Sequence, residues 1–269
     1  MVKKLFKYEI LSYLRVFLPV NLILLAIAVM GRIVQIFEND TIAYDIIFGS
    51  SIFALVVGII AAIFMVFIVS ITRFYKNLFT SEGYLTLTLP VTPVQHILVK
   101  LATSILFGLA TLISVLLSLA VITSGEVLVE VWKAADYLLE IVFDLMGSRL
   151  VFYILEAILL ILTMVASEYL LYYACIALGQ RAKKNRVLMA VFVYFIYYMI
   201  TQVLATVLMI LLAVLASSGA LETLFVWVET HLYTAVHIAL IGGTVFSAGT
   251  AVLFFWLTHS SIKKHLNLE

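Results

Sequence analysis

The chain is 269 residues long, 65% hydrophobic and 12% charged, with 16 basic and 15 acidic residues giving a formal net charge of +1. Its mean hydropathy is +1.21. That much apolar surface exceeds what a water-soluble domain can bury, and no basic tract marks a nucleic-acid-binding module.

Several apolar runs exceed the ~20 residues needed to cross a hydrocarbon core, and they lack the alternation of barrel strands. Backbone groups in lipid need internal partners, so these runs predict an all-α, polytopic membrane protein. The first 16 residues mix lysines with Glu9 and Arg15 in an amphipathic pattern, and no small-residue cleavage site follows. They predict an interfacial helix at 1–16 rather than a secretory leader.

Spanning helices are expected at 17–37, 46–72, 97–123, 150–180, 187–217 and 233–259, six in all. Spans 1 and 2 fill residues 17–72, a cytoplasmic connection occupies 73–96, spans 3 to 6 lie within 97–259, and 260–269 form a tail, together one transmembrane domain. From Gly125 to Gly147, the residues Glu126, Glu130, Lys133, Tyr137, Glu140 and Asp144 fall at three- and four-residue spacing. They oppose Val127, Val131, Leu138, Val142 and Leu145, which predicts an amphipathic outer helix between spans 3 and 4. The apolar stretch from Gly219 to Leu232 is too short to cross and reads as a re-entrant or interfacial turn.

Orientation follows from the loops. Lys3, Lys4, Lys7, Arg15, Arg73, Lys76, Lys100, Arg181, Lys183, Lys184, Arg186, Lys263 and Lys264 fall on one side of the six-span topology. The positive-inside rule makes that side cytoplasmic, with both termini there and the chain in the cell membrane. The opposite side collects Glu38, Asp40, Asp45, Glu126, Glu130, Asp136, Glu140, Asp144, Glu222 and Glu229, with Arg32, Lys133 and Arg149.

Within the spans, Glu156 lies seven residues after Arg149 on nearly the same face, which suits an ion pair or a reach to the headgroups. Glu168 lies deeper, with Tyr172 and Cys175 on its own face, where exposure to lipid is not expected. It either holds the bundle by a hydrogen bond or lines a substrate path. Tyr194, Tyr198 and Gln202 recur every four residues, as a packing stripe or as hydroxyls and ring faces for a passenger. Ala239, Gly243, Ser247 and Ala251 form a small-residue ridge suited to helix packing.

No G-x-x-x-x-G-K-[ST] phosphate loop, H-E-x-x-H or G-x-S-G motif occurs, so the sequence predicts no enzyme and no cofactor of its own. His231 and His237 are six apart, not the spacing of a helical metal pair, and no metal site is expected. The lone Cys175 reads as a small buried hydrophobe.

The most informative segment is RFYKNLFTSEGYLTLTLPVTPVQHILVK, residues 73–100. Gly83 interrupts a helix, and Pro90 and Pro93 push the residues before them toward extended geometry. This segment, with the order of elements around it, resembles the permeases of ABC-2 type exporters. The likeness is to the small six-helix permeases of Gram-positive bacteria, including the peptide-exporting branch related to phenol-soluble modulin exporters.

The resemblance implies a coupling helix near Asn77 to Leu87 that seats in a separate ATP-binding subunit. It assigns Lys76, Phe79, Glu82, Gly83, Tyr84 and Leu85 to that contact, with Phe79, Tyr84 and Leu85 as an apolar knob and Lys76 and Glu82 at its rim. ATP and Mg would be bound by the partner, and a second permease chain would complete the pathway. Glu168, Tyr172, Tyr194, Tyr198 and Gln202 would line the substrate path. The implied activity is export of amphipathic or hydrophobic substrates, peptides first; the alternative is a non-transporting membrane receptor or immunity subunit that binds peptides.

Overall fold

The computed structural model describes residues 2–37, 41–80, 82–83 and 90–264. Helices account for nearly all of them, and no strand occurs among the described residues. In chain order they are α1 (Val2–Ile36), α2 (Ile42–Phe79), α3 (Pro93–Ile122), α4 (Glu126–Met146), α5 (Leu150–Gly179), α6 (Arg186–Ser217), α7 (Ala220–Thr230) and α8 (Leu232–Lys264). A 3-10 turn, Gly147–Arg149, precedes α5. Six of these helices, α1, α2, α3, α5, α6 and α8, are long and apolar enough to cross a membrane. The chain is an all-α, multi-pass membrane protein.

One expected boundary is absent. The segment predicted as a separate interfacial helix at 1–16 runs without a break into the first span, as one helix of 35 residues. Its polar residues explain why: Glu9 and Tyr13 are buried against the next two helices, which fixes the segment in line with the span.

Helix ends follow local chemistry. Thr92 and Gln95 form a reciprocal capping box at the start of α3, with Pro93 in the first turn, where its missing N–H costs nothing. Ser124 and Gly125 take left-handed conformations and end α3, and the Gly125 amide donates to the Ala120 carbonyl at 2.7 Å. The predicted outer helix is present as α4, and none of its described side chains is buried. The short apolar stretch after α6 forms the 11-residue helix α7, opened by Gly219 at positive φ.

The helices gather into two compact units, residues 1–144 and 145–269. In the first unit α1 packs against both α2 and α3, and α2 against α3. Leu24, Ala28, Leu55, Ala62, Val115 and Ile122 make one core cluster, and Tyr13, Val66 and Phe107 a second. Tyr13 stacks on Phe107 with centroids 4.9 Å apart. A Cβ on Gly31 would come within 2.8 Å of the Ile122 side chain, so glycine permits this approach of α1 and α3.

In the second unit α5 packs most closely on α8 and also on α6, while α7 touches α6 and α8. The predicted small-residue ridge meets α5 at two of its positions. Gly243 faces Leu160, and Ser247 Oγ lies 2.6 Å from Thr163 Oγ1. Next to it, Ser167 and Thr250 hydroxyls pair at 2.9 Å. Ala239 is exposed. Around the connection from α5 to α6, a Cβ on Gly179 would lie 2.8 Å from the Ala190 amide nitrogen and from the Arg186 carbonyl oxygen, so the two backbones nearly touch. Along its 32 residues α6 has no buried side chain.

Candidate functional site: a buried polar core

Three helix faces, each with polar residues four apart, converge in the first unit. Glu9 and Tyr13 stand one turn apart on α1, Arg73 and Asn77 on the last turns of α2, and His96, Lys100 and Ser104 on the first turns of α3. Residues at i and i+4 share a helix face, so each helix presents a short polar ladder to the other two.

Glu9 is the hub. Its Oε1 accepts from Lys100 Nζ at 3.0 Å and from Arg73 Nε at 3.2 Å. The Arg73 guanidinium also donates to Ser12 Oγ and lies over the Tyr13 ring, 5.2 Å from its centroid. Tyr13 and Ser104 hydroxyls pair at 3.0 Å. Lys100 reaches the Arg73 carbonyl at 3.4 Å. Glu9 and Lys100 are only 5% and 4% exposed, so both charges are out of water.

A buried ion of this kind is tolerable only when paired and hydrogen-bonded, and removing one partner strands the other. One carboxylate here faces two cations. The second acid is Glu82, brought in through Asn77. With the Asn77 amide oxygen turned to Lys100 Nζ (3.2 Å), its nitrogen donates to Glu82 Oε2 at 3.1 Å and to the Arg73 carbonyl at 3.3 Å. Glu82 is exposed. The network thus runs from an exposed carboxylate beyond α2 to a buried one on α1. A cavity of about 10 Å³, room for roughly one water, lies among Leu5, Glu9, Asn77, His96, Val99 and Lys100.

The residues predicted to contact an ATPase divide accordingly. Lys76 is exposed on the last turn of α2. Phe79 does not form an exposed knob: it is 2% exposed and packs edge-on against Phe74, with centroids 5.9 Å apart. Helix α2 carries it inward because it continues to Phe79 and lays Phe74, Leu78 and Phe79 against the bundle. The Gly83 amide closes a turn on the Thr80 carbonyl at 2.8 Å, and Gly83 is buried. Tyr84 and Leu85 lie outside the described residues.

The second unit brings part of the predicted substrate path together. Tyr172 on α5 and Tyr194 on α6 stack with centroids 5.4 Å apart. Tyr198 and Gln202 pair along α6, Nε2 to hydroxyl, at 2.9 Å. Glu168 is exposed, contrary to expectation, within electrostatic reach of Tyr172 and Tyr197. Cys175 is buried, as expected of a small hydrophobe.

Glu156 also departs from expectation. Its carboxylate pairs with His237 of α8, the Nδ1 lying 2.9 and 2.8 Å from its two oxygens, while Arg149 is exposed. No group of three or more candidate metal ligands occurs among the described residues.

Sequence reasoning had placed Arg73 and Lys100 as topology markers and Glu9 as an interfacial residue. The signal for their association was present: before the C-terminal tail, Glu9 and Glu82 are the acids amid the basic residues of one side of the topology. No protein-family model, curated protein or solved structure matches the chain.

Proposed function

We propose that the chain is the membrane permease subunit of an ATP-driven exporter of the ABC-2 type, which moves amphipathic or hydrophobic substrates, peptides in particular, out of the cell. The observation that carries this reading is the continuity between the end of α2 and the buried polar core. Lys76 and Glu82 are exposed there, and Glu82 is joined through Asn77 to Lys100 and so to Glu9. A force applied by a partner at this exposed turn would be passed to three spans by hydrogen bonds and charge, not by a slack loop.

In this reading the chain performs no covalent chemistry. ATP and Mg bind a separate ATPase subunit, and ATP binding favours one arrangement of the permease by closing on the coupling segment. A second permease chain completes the pathway, with both termini in the cytoplasm and the chain in the cell membrane. The exposed Glu168 and the Tyr172–Tyr194 stack offer a carboxylate and ring faces of the kind an amphipathic, cationic peptide would use.

The test is co-purification in gentle detergent of the tagged chain from its native membrane, wild type against Glu82→Lys combined with Tyr84→Ala. An ATP-binding subunit is expected with the wild type and is lost with the double variant. If no ATPase accompanies the wild type, the exporter reading fails. The second reading, a peptide-binding receptor or immunity subunit, rests on α4, whose amphipathic sequence buries none of its described side chains and leaves Trp132 75% exposed. Peptide binding that persists without any ATPase and is lost on changing Trp132 would favour it.

A further inference from the structure

The pairing of Glu156 with His237 is a polar contact of ionisable groups in the second unit that the export reading leaves unused. It joins α5 to α8 across 81 residues of sequence. Both carboxylate oxygens face one ring nitrogen, at 2.9 and 2.8 Å, so Nδ1 is the donor. On its flat face the imidazole stacks against Tyr153, with centroids 4.2 Å apart, and the Tyr153 hydroxyl donates to the Tyr233 carbonyl at 3.3 Å. An imidazolium in this position meets a carboxylate at its edge and an aromatic ring on its plane, the two neighbours that suit a cation.

The depth of the pair matters. Helices of 30 and 33 residues are about 45 and 50 Å long, against a hydrocarbon core of about 30 Å. Several ångströms of each therefore project at either end. Glu156 is six residues into α5 and His237 five into α8, roughly 9 and 8 Å from the helix starts. An upright helix centred on the core would hold them at its boundary, within reach of water. Their side chains are 23% and 31% exposed, so protons can exchange.

Among the charged groups of the elements packed on α5, Arg149 in the 3-10 turn is exposed, and the Glu156 carboxylate bonds to His237 instead. On α5 and α8 the pair's titratable neighbours are Tyr153 and Tyr233. Helix α7, against the start of α8, carries Glu222 and Glu229, with His231 just after it; none bonds to either member of the pair, and His231 instead binds Thr230 and the Trp227 carbonyl. The half of α6 beyond Tyr198 carries no titratable side chain.

We propose that Glu156 and His237 form a proton-binding site at the boundary of the second unit, and that the bound proton fastens α5 to α8 at that end. With His237 protonated and Glu156 ionised, the contact is a charge-assisted ion pair. Loss of the ring proton on one side of the pH range, or gain of a carboxyl proton on the other, leaves a weaker contact.

The test uses the full chain in nanodiscs, with nitrogen NMR of the histidine rings, assigned by the signal missing in His237→Gln, and amide hydrogen exchange corrected for its intrinsic pH dependence. Over a titration down to pH 5 the His237 ring is expected to pass from the neutral to the imidazolium pattern. Protection of residues 233–238 is expected to rise over the same interval at least several-fold. In Glu156→Gln that protection is lower at pH 5 and its pH dependence is gone, whereas Glu156→Asp retains it. A ring that stays neutral to pH 5 overturns the proposal. Superimposable exchange profiles for wild type and Glu156→Gln overturn it equally, and neither outcome touches the export reading.

Discussion

The two units handle charge in opposite ways. The first takes ionised groups wholly out of solvent and surrounds them: Glu9 and Lys100 are buried, paired with each other and with Arg73, and tied to Tyr13, Ser104 and Asn77. The second keeps its described carboxylates at partial or full exposure, with Glu156 half-buried against His237 and Glu168 on the surface of an apolar helix. A buried, fully paired network holds one arrangement firmly, since losing any member strands another. A half-buried pair or an exposed acid is free to exchange its proton or its partner. The first unit holds its charges in fixed pairs, and the second leaves its acids open to exchange.

The sharpest way to break this contrast is to remove Lys100. Lys100→Ala is expected to cost about 3–5 kcal/mol, because Glu9 is left buried beside a single cation. Denaturant or thermal unfolding in detergent measures it, and a loss under about 1 kcal/mol would mean that water already solvates the cluster.

Next in size is a steric change in the second unit. Gly179→Val is expected to cost roughly 1–3 kcal/mol, since its Cβ would meet the Ala190 amide and the Arg186 carbonyl, backbone atoms that cannot step aside. Gly31→Ala is milder, for there the obstacle is the tip of the Ile122 side chain. Equal losses from the two glycine changes would show that the α5–α6 connection yields easily.

The smallest expected effect sharpens the comparison from the functional side. Glu168→Gln should alter stability by less than about 0.5 kcal/mol, because the exposed carboxylate holds no partner helix. On the proposed export function, vesicles containing this chain and an ATPase partner are expected to export a cationic amphipathic peptide more slowly after the same change. Wild-type export rates would remove Glu168 from the pathway.

What the sequence made legible was what depends on neighbours along the chain. Six apolar runs gave six long helices within a few residues, apart from an α1 that starts 15 residues earlier than expected and an α2 that ends seven later. The three- and four-residue spacing of Glu126 to Asp144 gave α4. The miss at α1 has a physical cause: an amphipathic stretch looks the same whether its polar face meets headgroups or meets Arg73 and Lys100 on other helices. Phe79 was misjudged for a similar reason, because an aromatic near a turn carries no mark of which way its helix will turn it. Contacts over long separations, 91 residues for Glu9 with Lys100 and 81 for Glu156 with His237, have no local signature.

Helix α1 carries one further consequence, which is mechanical. Pro19 sits inside it and has no amide hydrogen, so the Arg15 carbonyl lacks its rung in the ladder. Below that point α1 is bolted down by Glu9 and Tyr13, and above it by Leu24 and Ala28 in the apolar core. A rod clamped at two places with a missing rung between them has its lowest bending stiffness there. Any torque applied through the lower clamp is absorbed first as flexure at Pro19, which makes that residue the natural elbow of the first unit.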